Sequence, residues 1–488
     1  MRFHLSLLTL LLAAGLPAQE QAAPIGPAEQ LPPVPGKVIT ITPDAGYHNE
    51  PSIAVNAKDP SQLVAAYQVR ASVAYSQDAG NSWKIATGTA PSDYRVSGDV
   101  SVTYDKRGTA ILCYIAYDKL GTMNYWARGA TRNGVFVRRS PDGGATWETE
   151  AHAVIAQPTK PGIPFEVKPY IAADNTNSKF AGNLYVGWTE FRLDESVILF
   201  SRSTDGGQTW STPIEISTHH GLPRDDNGAV EGFTGAVSAD GTLYVAWADG
   251  NSIAFTSSHD GGKTFAKSRS VIQAAPLYFD VAGLDRANGF PQLDIDPRHG
   301  RKGLLYATWS DYREGDIGVY CATSDNGGKS WSTAVRVNSN PAHDGTDQFF
   351  QWLAVDPATG AANIIFYDRR LDPKNKNTTI TLGRSTDGGR TFANYAWTRD
   401  AFVPSRDDFL GDYIGMAALN DKVYGAWAEI APPTAPKEGE APPTERRPQT
   451  IVRVGVADFE GRASDLSRHL PLGDSLSPLR KHAAIIVQ

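Results

Sequence analysis

The octapeptide SPDGGATW (140–147) belongs to a motif of the form Ser-x-Asp-x-Gly-x-(Ser/Thr)-aromatic. The copies are SQDAGNSW (76–83), SPDGGATW (140–147), STDGGQTW (203–210), SHDGGKTF (258–265), SDNGGKSW (324–331) and STDGGRTF (385–392), and Asn326 takes the place of the Asp in the copy at 324–331. An Asp at the third position can accept hydrogen bonds from backbone N–H groups inside a tight turn, and glycine permits a positive φ. Six such turns predict a repeated β-structure and do not by themselves indicate a reaction.

A second repeat precedes the turn motif, and it reads as a hairpin of two strands rich in Val, Ile, Tyr and Trp. The seven copies span residues 51–67, 99–117, 168–188, 233–247, 291–309, 351–368 and 412–427. Each hairpin followed by a motif-bearing hairpin makes a four-stranded unit, and the units recur about every 60 residues. We therefore predict an all-β fold, a β-propeller of seven four-stranded blades, with six blades as the alternative. The segment GKVITITPD (36–44) is expected to close the ring as the last strand of blade seven.

Composition excludes several function classes. Lys plus Arg number 46 and Asp plus Glu number 53, giving a net charge of −7 with no basic block, so nucleic-acid binding is not expected. The two cysteines, Cys113 and Cys321, lie far apart in sequence, so no disulfide framework is expected. The histidines show no compact metal-ligand spacing. No cofactor is predicted, although Asp407–Asp408 and the loop 372–377 leave calcium open.

The chain divides into four predicted regions. Residues 1–19 have a basic start and an apolar run shorter than the roughly 20 residues that span a bilayer, which predicts a signal peptide. An N-terminal membrane anchor is the alternative. A Pro-rich linker (20–35), the propeller (36–470, with a mobile insertion at 431–448) and a C-terminal tail (471–488) follow. The protein is accordingly expected to be secreted, periplasmic or extracellular, without membrane insertion, and monomeric.

The topology of a blade indicates where chemistry could occur. The first two strands are antiparallel, so residues before the first and after the second share one end, away from the motif turns. Carboxylates and arginines gather at this end, which suits a glycoside hydrolase or a polysaccharide lyase. The catalytic candidates from this argument are Glu231, Asp311 and Asp368. The substrate-binding candidates are Glu50, Asp99, Lys168, Arg192, Arg286, Arg313, Arg369, Arg370 and Asp412.

A structural interpretation competes with this catalytic one. An acidic residue follows the aromatic residue of the second strand in six blades, and such repetition favours a repeated hydrogen-bond acceptor. Asp118, Asp249 and Glu429 are examples. Surface ion pairs would explain other acid–arginine combinations. Aromatic residues near the same end could supply stacking surfaces for sugar rings; they are Tyr170, Phe290, Phe349, Phe350 and Trp352.

The six turn motifs resemble the Asp box, or BNR repeat, of the sialidase superfamily, and the resemblance covers nearly the whole predicted propeller. The stretch ATWSDYREGDIGVYCATSDNGGKSW (307–331) looks like a sialidase-type blade. The resemblance implies Asp boxes on the face opposite the active site. It also implies three arginines that clamp a substrate carboxylate, a tyrosine nucleophile assisted by a glutamate, and an aspartate acid/base. Tyr413, in DYIGMAALNDKVYGAW (412–427), matches the position of the nucleophile.

Two positions depart from the family pattern. In HNEPSI (48–53), Asn49 stands where the first arginine is expected, and the connection at residues 68–71 contains no carboxylate for the acid/base. We therefore expect a sialidase-like carbohydrate-active protein, a glycoside hydrolase acting at the central pocket on a substrate that need not be a sialoside. The alternatives are a non-catalytic propeller that binds glycan or protein partners, and an assembly factor.

Overall fold

The computed structural model describes residues 30–68, 70–89, 94, 96–119, 130, 132–158, 164–225, 228–432 and 449–461. Within them, seven sheets of four strands form a ring, a seven-bladed β-propeller, which confirms the all-β prediction of seven blades. The described residues include no helix that is long and apolar enough to cross a membrane. The predicted signal peptide (1–19), the C-terminal tail (471–488) and most of the insertion at 431–448 lie outside the described residues.

Blades one to three each use four consecutive strands, running from the central channel outward. Blade one consists of β2 (Ser52–Val55), β3 (Leu63–Tyr67), β4 (Ser72–Ser76) and β5 (Lys84–Ile85). Blade two consists of β6 (Val96–Tyr104), β7 (Ala110–Tyr117), β8 (Asn133–Ser140) and β9 (His152–Ala156). Blade three consists of β10 (Phe165–Ala173), β11 (Leu184–Phe191), β12 (Ser196–Ser203) and β13 (Ile214–Glu215).

Blades four to six follow the same order. Blade four consists of β14 (Val230–Val237), β15 (Leu243–Asp249), β16 (Ser252–Ser258) and β17 (Arg269–Gln273). A two-stranded ribbon, β18 (Tyr278–Phe279) with β19 (Ala287–Asn288), then precedes blade five. Blade five consists of β20 (Gln292–Asp296), β21 (Leu304–Asp311), β22 (Gly318–Ser324) and β23 (Val335–Arg336). Blade six consists of β24 (Gln348–Val355), β25 (Ala362–Asp368), β26 (Thr379–Ser385) and β27 (Ala393–Ala396).

Blade seven joins the two ends of the propeller chain. It consists of β28 (Gly415–Leu419), β29 (Lys422–Ile430), β30 (Thr450–Asp458) and, on the outside, β1 (Gly36–Thr40). β1 pairs antiparallel with β30, with Gly36 opposite Ala457 and Thr40 opposite Arg453. The prediction that the early segment closes the ring is therefore confirmed.

The repeated turn motifs are held by local hydrogen bonds between the third and fourth strands of six blades. In the blade-three copy, the Thr209 N–H donates to Asp205 Oδ1 (3.0 Å) and the Gly207 N–H donates to Ser203 Oγ (2.9 Å). Gly206 and Gly207 have φ values of 77° and 89°, which favour glycine. These turns lie at the end of the blades opposite the site described below, so the motif serves the fold.

The hydrophobic core lies between adjacent blades. The second strands of blades three, four, five and seven each contribute a fully buried tryptophan: Trp188, Trp247, Trp309 and Trp427. Because each blade packs against its neighbours in this way, the inner strands and the residues that precede them are held in a fixed ring.

Candidate functional site

An equivalent position recurs in all seven blades, at one mouth of the central channel. In each blade it lies two residues ahead of a residue of the inner strand. These seven residues, here called the mouth ring, are Glu50, Asp99, Lys168, Gly232, Phe290, Phe350 and Tyr413. Five have left-handed backbone: Glu50 (φ 49°), Asp99 (45°), Lys168 (48°), Gly232 (75°) and Phe350 (51°). Such backbone is unfavourable for residues other than glycine, and it occurs often where a site imposes a geometry. In blades two, three, four and six it coincides with a break in the strand register.

Three cavities lie along the channel. The first, here called the upper pocket, has a volume of 210 Å³ and is lined by Tyr47, Glu50, Gln68, Gly98, Asp99, Ile115, Tyr117, Asp285, Arg286 and Phe409. A smaller one of 40 Å³ is lined by both Lys168 and Asp412 and by several aromatic residues. The third, of 570 Å³, lies towards the motif turns and is lined by residues of the seven inner strands.

A group of buried and half-buried charges lies beside the upper pocket. This charged cluster consists of Lys168, Asp225, Glu231, Arg286 and Asp412. Lys168 Nζ lies 2.9 Å from both Glu231 Oε1 and Asp412 Oδ2, and 3.7 Å from Asp225 Oδ1. The Lys168 side chain is 8% exposed, so solvent screens these contacts little. The cluster is thus a network of ion pairs contributed by four different parts of the ring.

Arg286 reaches the charged cluster from the segment that contains the β18–β19 ribbon. Its Nε donates to Asp412 Oδ1 (2.7 Å), its Nη2 contacts Asp412 Oδ2, and its Nη1 lies 2.8 Å from Asp225 Oδ2. From the same segment, the Tyr278 hydroxyl donates to Glu231 and to Asp225 Oδ1 (3.2 Å). Asn288 Nδ2 donates to the Asp412 carbonyl (3.0 Å). The ribbon is therefore tied to the mouth by hydrogen bonds and ion pairs.

Two further carboxyl groups, Glu50 and Asp99, face the upper pocket from neighbouring blades. Glu50 accepts hydrogen bonds from the Asp412 N–H at Oε1 (3.1 Å) and from Gln68 Nε2. Asp99 Oδ2 accepts a hydrogen bond from the Lys168 N–H (2.7 Å). The mouth ring thereby connects the upper pocket to the charged cluster.

The environment separates the pKa values of these acids. Burial, and then the charge of Asp99, raises the pKa of Glu50 well above its usual range. Burial also raises the pKa of Asp99, but the Lys168 charge and the Lys168 N–H oppose the rise. Burial and Asp225 raise the pKa of Glu231 to about 8. For Asp412, burial acts in the same direction, but the charges of Arg286 and Lys168 outweigh it and lower the pKa.

Aromatic side chains form a wall of the upper pocket and also line the channel below it. The rings of Tyr47 and Phe409 stack with centroids 6.2 Å apart, and the Arg286 guanidinium lies 5.0 Å from the Phe409 centroid. Deeper in the channel, Trp352 lies 6.3 Å from Tyr170 and 5.8 Å from Tyr413 between ring centroids. This aromatic layer lies between the charged mouth and the 570 Å³ cavity.

Six of the sequence-derived candidates come together here: Glu50, Asp99, Lys168, Glu231, Arg286 and Asp412. Tyr413 lies in the aromatic layer, and its hydroxyl donates to the Val100 carbonyl (3.2 Å). A tyrosine–glutamate contact does occur at the mouth, but between Tyr278 and Glu231. Tyr413 therefore contacts a backbone carbonyl and the Trp352 ring, and Tyr278 lies beside the glutamate.

The candidates that follow second strands make local contacts outside the charged cluster. Asp311 accepts from Trp309 Nε1 (2.9 Å) and from Arg313 Nε (2.8 Å). Glu429 similarly accepts from Trp427 Nε1 (3.0 Å), so the repeated-acceptor interpretation describes these two acids.

Blades three and six show the same kind of local pairing. Asp368 accepts from Arg370 Nε (2.6 Å) and from Thr381 Oγ1 (2.7 Å). Arg369 donates to the carbonyls of Asn375 and Ala282 (2.8 Å each). On the rim of blade three, Arg192 pairs with carboxylates of Glu190, Glu195 and Glu215.

The part of the chain that the structure describes contains no group of three or more His, Cys, Asp or Glu placed to hold a metal ion. In the loop 372–377, Asp372 accepts hydrogen bonds from the N–H groups of Lys374 (2.9 Å) and Asn377 (2.7 Å). Asp408 Oδ1 accepts from the Gln449 N–H (3.0 Å). The carboxylates of both calcium candidates thus accept backbone hydrogen bonds.

Several residues of the site were absent from the sequence-derived set. Tyr278 and Asp225 lie in connections between blades, and Gln68, Tyr47, Tyr117 and Phe409 complete the upper pocket. One signal was present in the sequence: the connection between β17 and β20 is long, which marks it as more than a turn.

The fold and site together define a seven-bladed β-propeller with a charged, aromatic-walled pocket at one mouth. No family model and no curated protein sequence matches the chain. Among solved structures it is similar to a Hadza microbial sialidase (17% identity, 75% of this chain and 70% of that one, TM-score 0.44). It is also similar to an α-L-arabinofuranosidase from Fusarium graminearum (14%, 76% and 96%, TM-score 0.46). A polysaccharide lyase acting on ulvan gives 11% identity over 80% and 93% of the chains, with a TM-score of 0.45.

Proposed function

We propose that this protein is a carbohydrate-active enzyme, and that it cleaves a glycosidic bond at the upper pocket. The observation that carries the proposal is the pair Glu50 and Asp99. Both line the same 210 Å³ pocket, and their surroundings hold the pKa of Glu50 well above its usual range while Lys168 opposes the rise at Asp99. Burial raises the pKa of both acids and the Lys168 charge opposes the rise at both, but the Lys168 N–H donates only to Asp99. Two acids in unlike surroundings can divide the roles of proton donor and base.

Glu50 is the proton donor in this proposal. Its burial and the neighbouring Asp99 charge favour the protonated carboxyl at neutral pH. Gln68 Nε2 and the Asp412 N–H hold its two oxygens, so the carboxyl group has a fixed position at the pocket. A protonated carboxyl that faces a glycosidic oxygen can protonate the leaving group.

Asp99 is the base or nucleophile. The Lys168 N–H donates to its Oδ2, and the Lys168 ammonium stabilises the ionised form. An ionised carboxylate can activate water or attack the anomeric carbon, depending on its separation from the acid across the sugar. Lys168 and Asp412 act as positioning residues, because they hold the two acids and do not line the upper pocket.

The remaining lining residues suit a sugar. The Tyr47–Phe409 pair offers an apolar face, and Arg286 and Gln68 offer hydrogen-bond donors to hydroxyl groups. We further propose that the protein is exported, which rests on the signal-like sequence of residues 1–19.

Hydrolysis of a panel of aryl glycosides by the purified protein tests the proposal. Glu50→Gln and Asp99→Asn should each lower kcat by about 10²–10⁴-fold, the usual contribution of a general acid or base. Glu148→Gln, which alters a carboxylate on the outer part of blade two, is the matched control and should leave kcat unchanged. Full activity in Glu50→Gln would refute the assignment.

A non-catalytic glycan-binding propeller is the second candidate. The aromatic layer favours it, because aromatic rings below the mouth offer apolar faces on which a sugar ring can stack. This function predicts sugar binding by the wild-type protein without turnover of any glycoside in the panel. It also predicts that Glu50→Gln and Asp99→Asn would alter affinity alone.

A further inference from the structure

We propose that the upper pocket takes a single uncharged sugar ring and discriminates against sugars that carry a carboxylate. This inference rests on the proposed carbohydrate-active function and names the substrate class of the same pocket. It differs from what the sialidase resemblance implies, since that resemblance calls for arginines free to clamp a substrate carboxylate.

The first step is that both cations at the mouth already have carboxylate partners. Lys168 Nζ is within 3.7 Å of carboxylates from Asp225, Glu231 and Asp412. Arg286 uses Nε and Nη2 on Asp412 and Nη1 on Asp225. A substrate carboxylate would therefore have to displace a buried ion pair, and the released protein carboxylate would remain without its partner.

The second step is that the pocket adds further acids. Glu50 and Asp99 line it, and within the described residues neither forms an ion pair with a lysine or arginine side chain. Asp285 also lines it, so three carboxyl groups line the pocket and three more pair with the two cations. Because the surroundings of Glu50 and Glu231 favour their protonated forms at neutral pH, the aspartates supply the negative charge that repels an anionic ligand. A neutral sugar ring is not repelled, and its hydroxyl groups can donate to carboxylates and accept from Arg286 and Gln68.

The third step concerns size. The pocket volume of 210 Å³ is below the range of about 300–1,000 Å³ that holds drug-sized ligands. The space suits one ring, with the Tyr47–Phe409 pair beside it. We therefore infer that a terminal monosaccharide unit enters the pocket.

Binding to matched neutral and acidic sugars tests this inference independently of turnover. The probes are glucose against glucuronate, galactose against galacturonate, and mannose against mannuronate, measured by ligand-observed NMR at pH 7 and low salt. In any pair that binds, we expect the neutral member to bind at least about tenfold more tightly. Preference for the acidic member would overturn the inference and leave the proposed function intact, whereas binding of none of the six sugars would overturn both.

A substitution at Asp225 tests whether the pairing of Arg286 determines this preference. Asp225→Asn removes the partner of Arg286 Nη1 and preserves a hydrogen-bond acceptor for Tyr278. It should reduce the neutral-to-acidic ratio several-fold. Glu148→Gln, which removes one negative charge from the outer part of blade two, is the control and should leave the ratio unchanged. An unchanged ratio in correctly folded Asp225→Asn would contradict the argument.

Discussion

Replacing Lys168 with methionine tests the physical basis of the charged cluster. The ammonium lies 2.9 Å from carboxylate oxygens of Glu231 and Asp412, and its side chain is almost wholly buried. Methionine preserves much of the volume and removes the charge. The change therefore isolates the electrostatic contribution of one buried cation.

The expected loss of stability follows from what remains around the carboxylates. Removing one partner of a buried ion pair costs about 3–5 kcal/mol in free energy of unfolding. Asp412 would keep Arg286 as a partner, so we expect the lower end, about 3 kcal/mol at pH 8. Without Lys168, the carboxyl groups of Glu231 and Asp412 would have raised pKa values in the folded state. Such groups contribute stability at low pH that is lost as the pH rises, so the loss at pH 5 should fall to about 1–2 kcal/mol.

Urea unfolding followed by tryptophan fluorescence at pH 5 and pH 8 measures this difference. Lys263→Met, at an exposed position of a motif turn, is the matched control and should cost little at either pH. An equal loss for Lys168→Met at both pH values, or a loss no larger than that of the control, would refute the electrostatic reasoning.

Three other outcomes are expected. Because the pKa of Glu231 is raised to about 8, the folded protein should lose stability as the pH rises from about 4.5 to 8, and Glu231→Gln should flatten this part of the stability profile. Tyr413→Phe should retain glycosidase activity and lose about 1 kcal/mol of stability, because the Tyr413 hydroxyl bonds a backbone carbonyl; loss of turnover would contradict its packing role. Deletion of residues 36–40 should lower the unfolding temperature by removing the outer strand of blade seven, whereas an unchanged temperature would show that β1 does not hold the ring closed.

The sequence allowed the fold to be predicted because the propeller repeats itself. Six turn motifs and seven hairpins carry the same local chemistry, so the blade count and the ring closure by residues 36–44 followed from pattern alone. The turns use Asp, or Asn326 in one copy, with Gly and Ser/Thr for local hydrogen bonds, as the contacts of Asp205 illustrate. A local requirement of this kind can be recognised in a single copy, and the repetition of the motif strengthens the prediction.

The candidate site was predicted only in part, because the sequence pattern does not show how far a residue lies from the central channel. Blade topology indicates which end of the ring a residue occupies, which correctly gathered Glu50, Asp99 and Lys168 at one mouth. It does not distinguish the inner strand from the second strand, so Asp311 and Asp368 were grouped with them although they lie in local contacts. Tyr278 was missed because it belongs to a connection outside the repeat, whose path the pattern does not specify.

The pairing of β1 with β30 also determines when the ring can close during synthesis of the chain. Thr40 lies opposite Arg453, so nearly the whole propeller must emerge from the ribosome before β1 meets its partner. At the usual 5–20 residues per second, this interval is roughly 20–80 s. During it, six blades can assemble one after another while β1 remains without the strand it will join, and the ring stays open. The final docking event therefore joins the first-made and last-made strands, and a nascent chain interrupted before residue 450 would expose both sides of an incomplete ring to other chains.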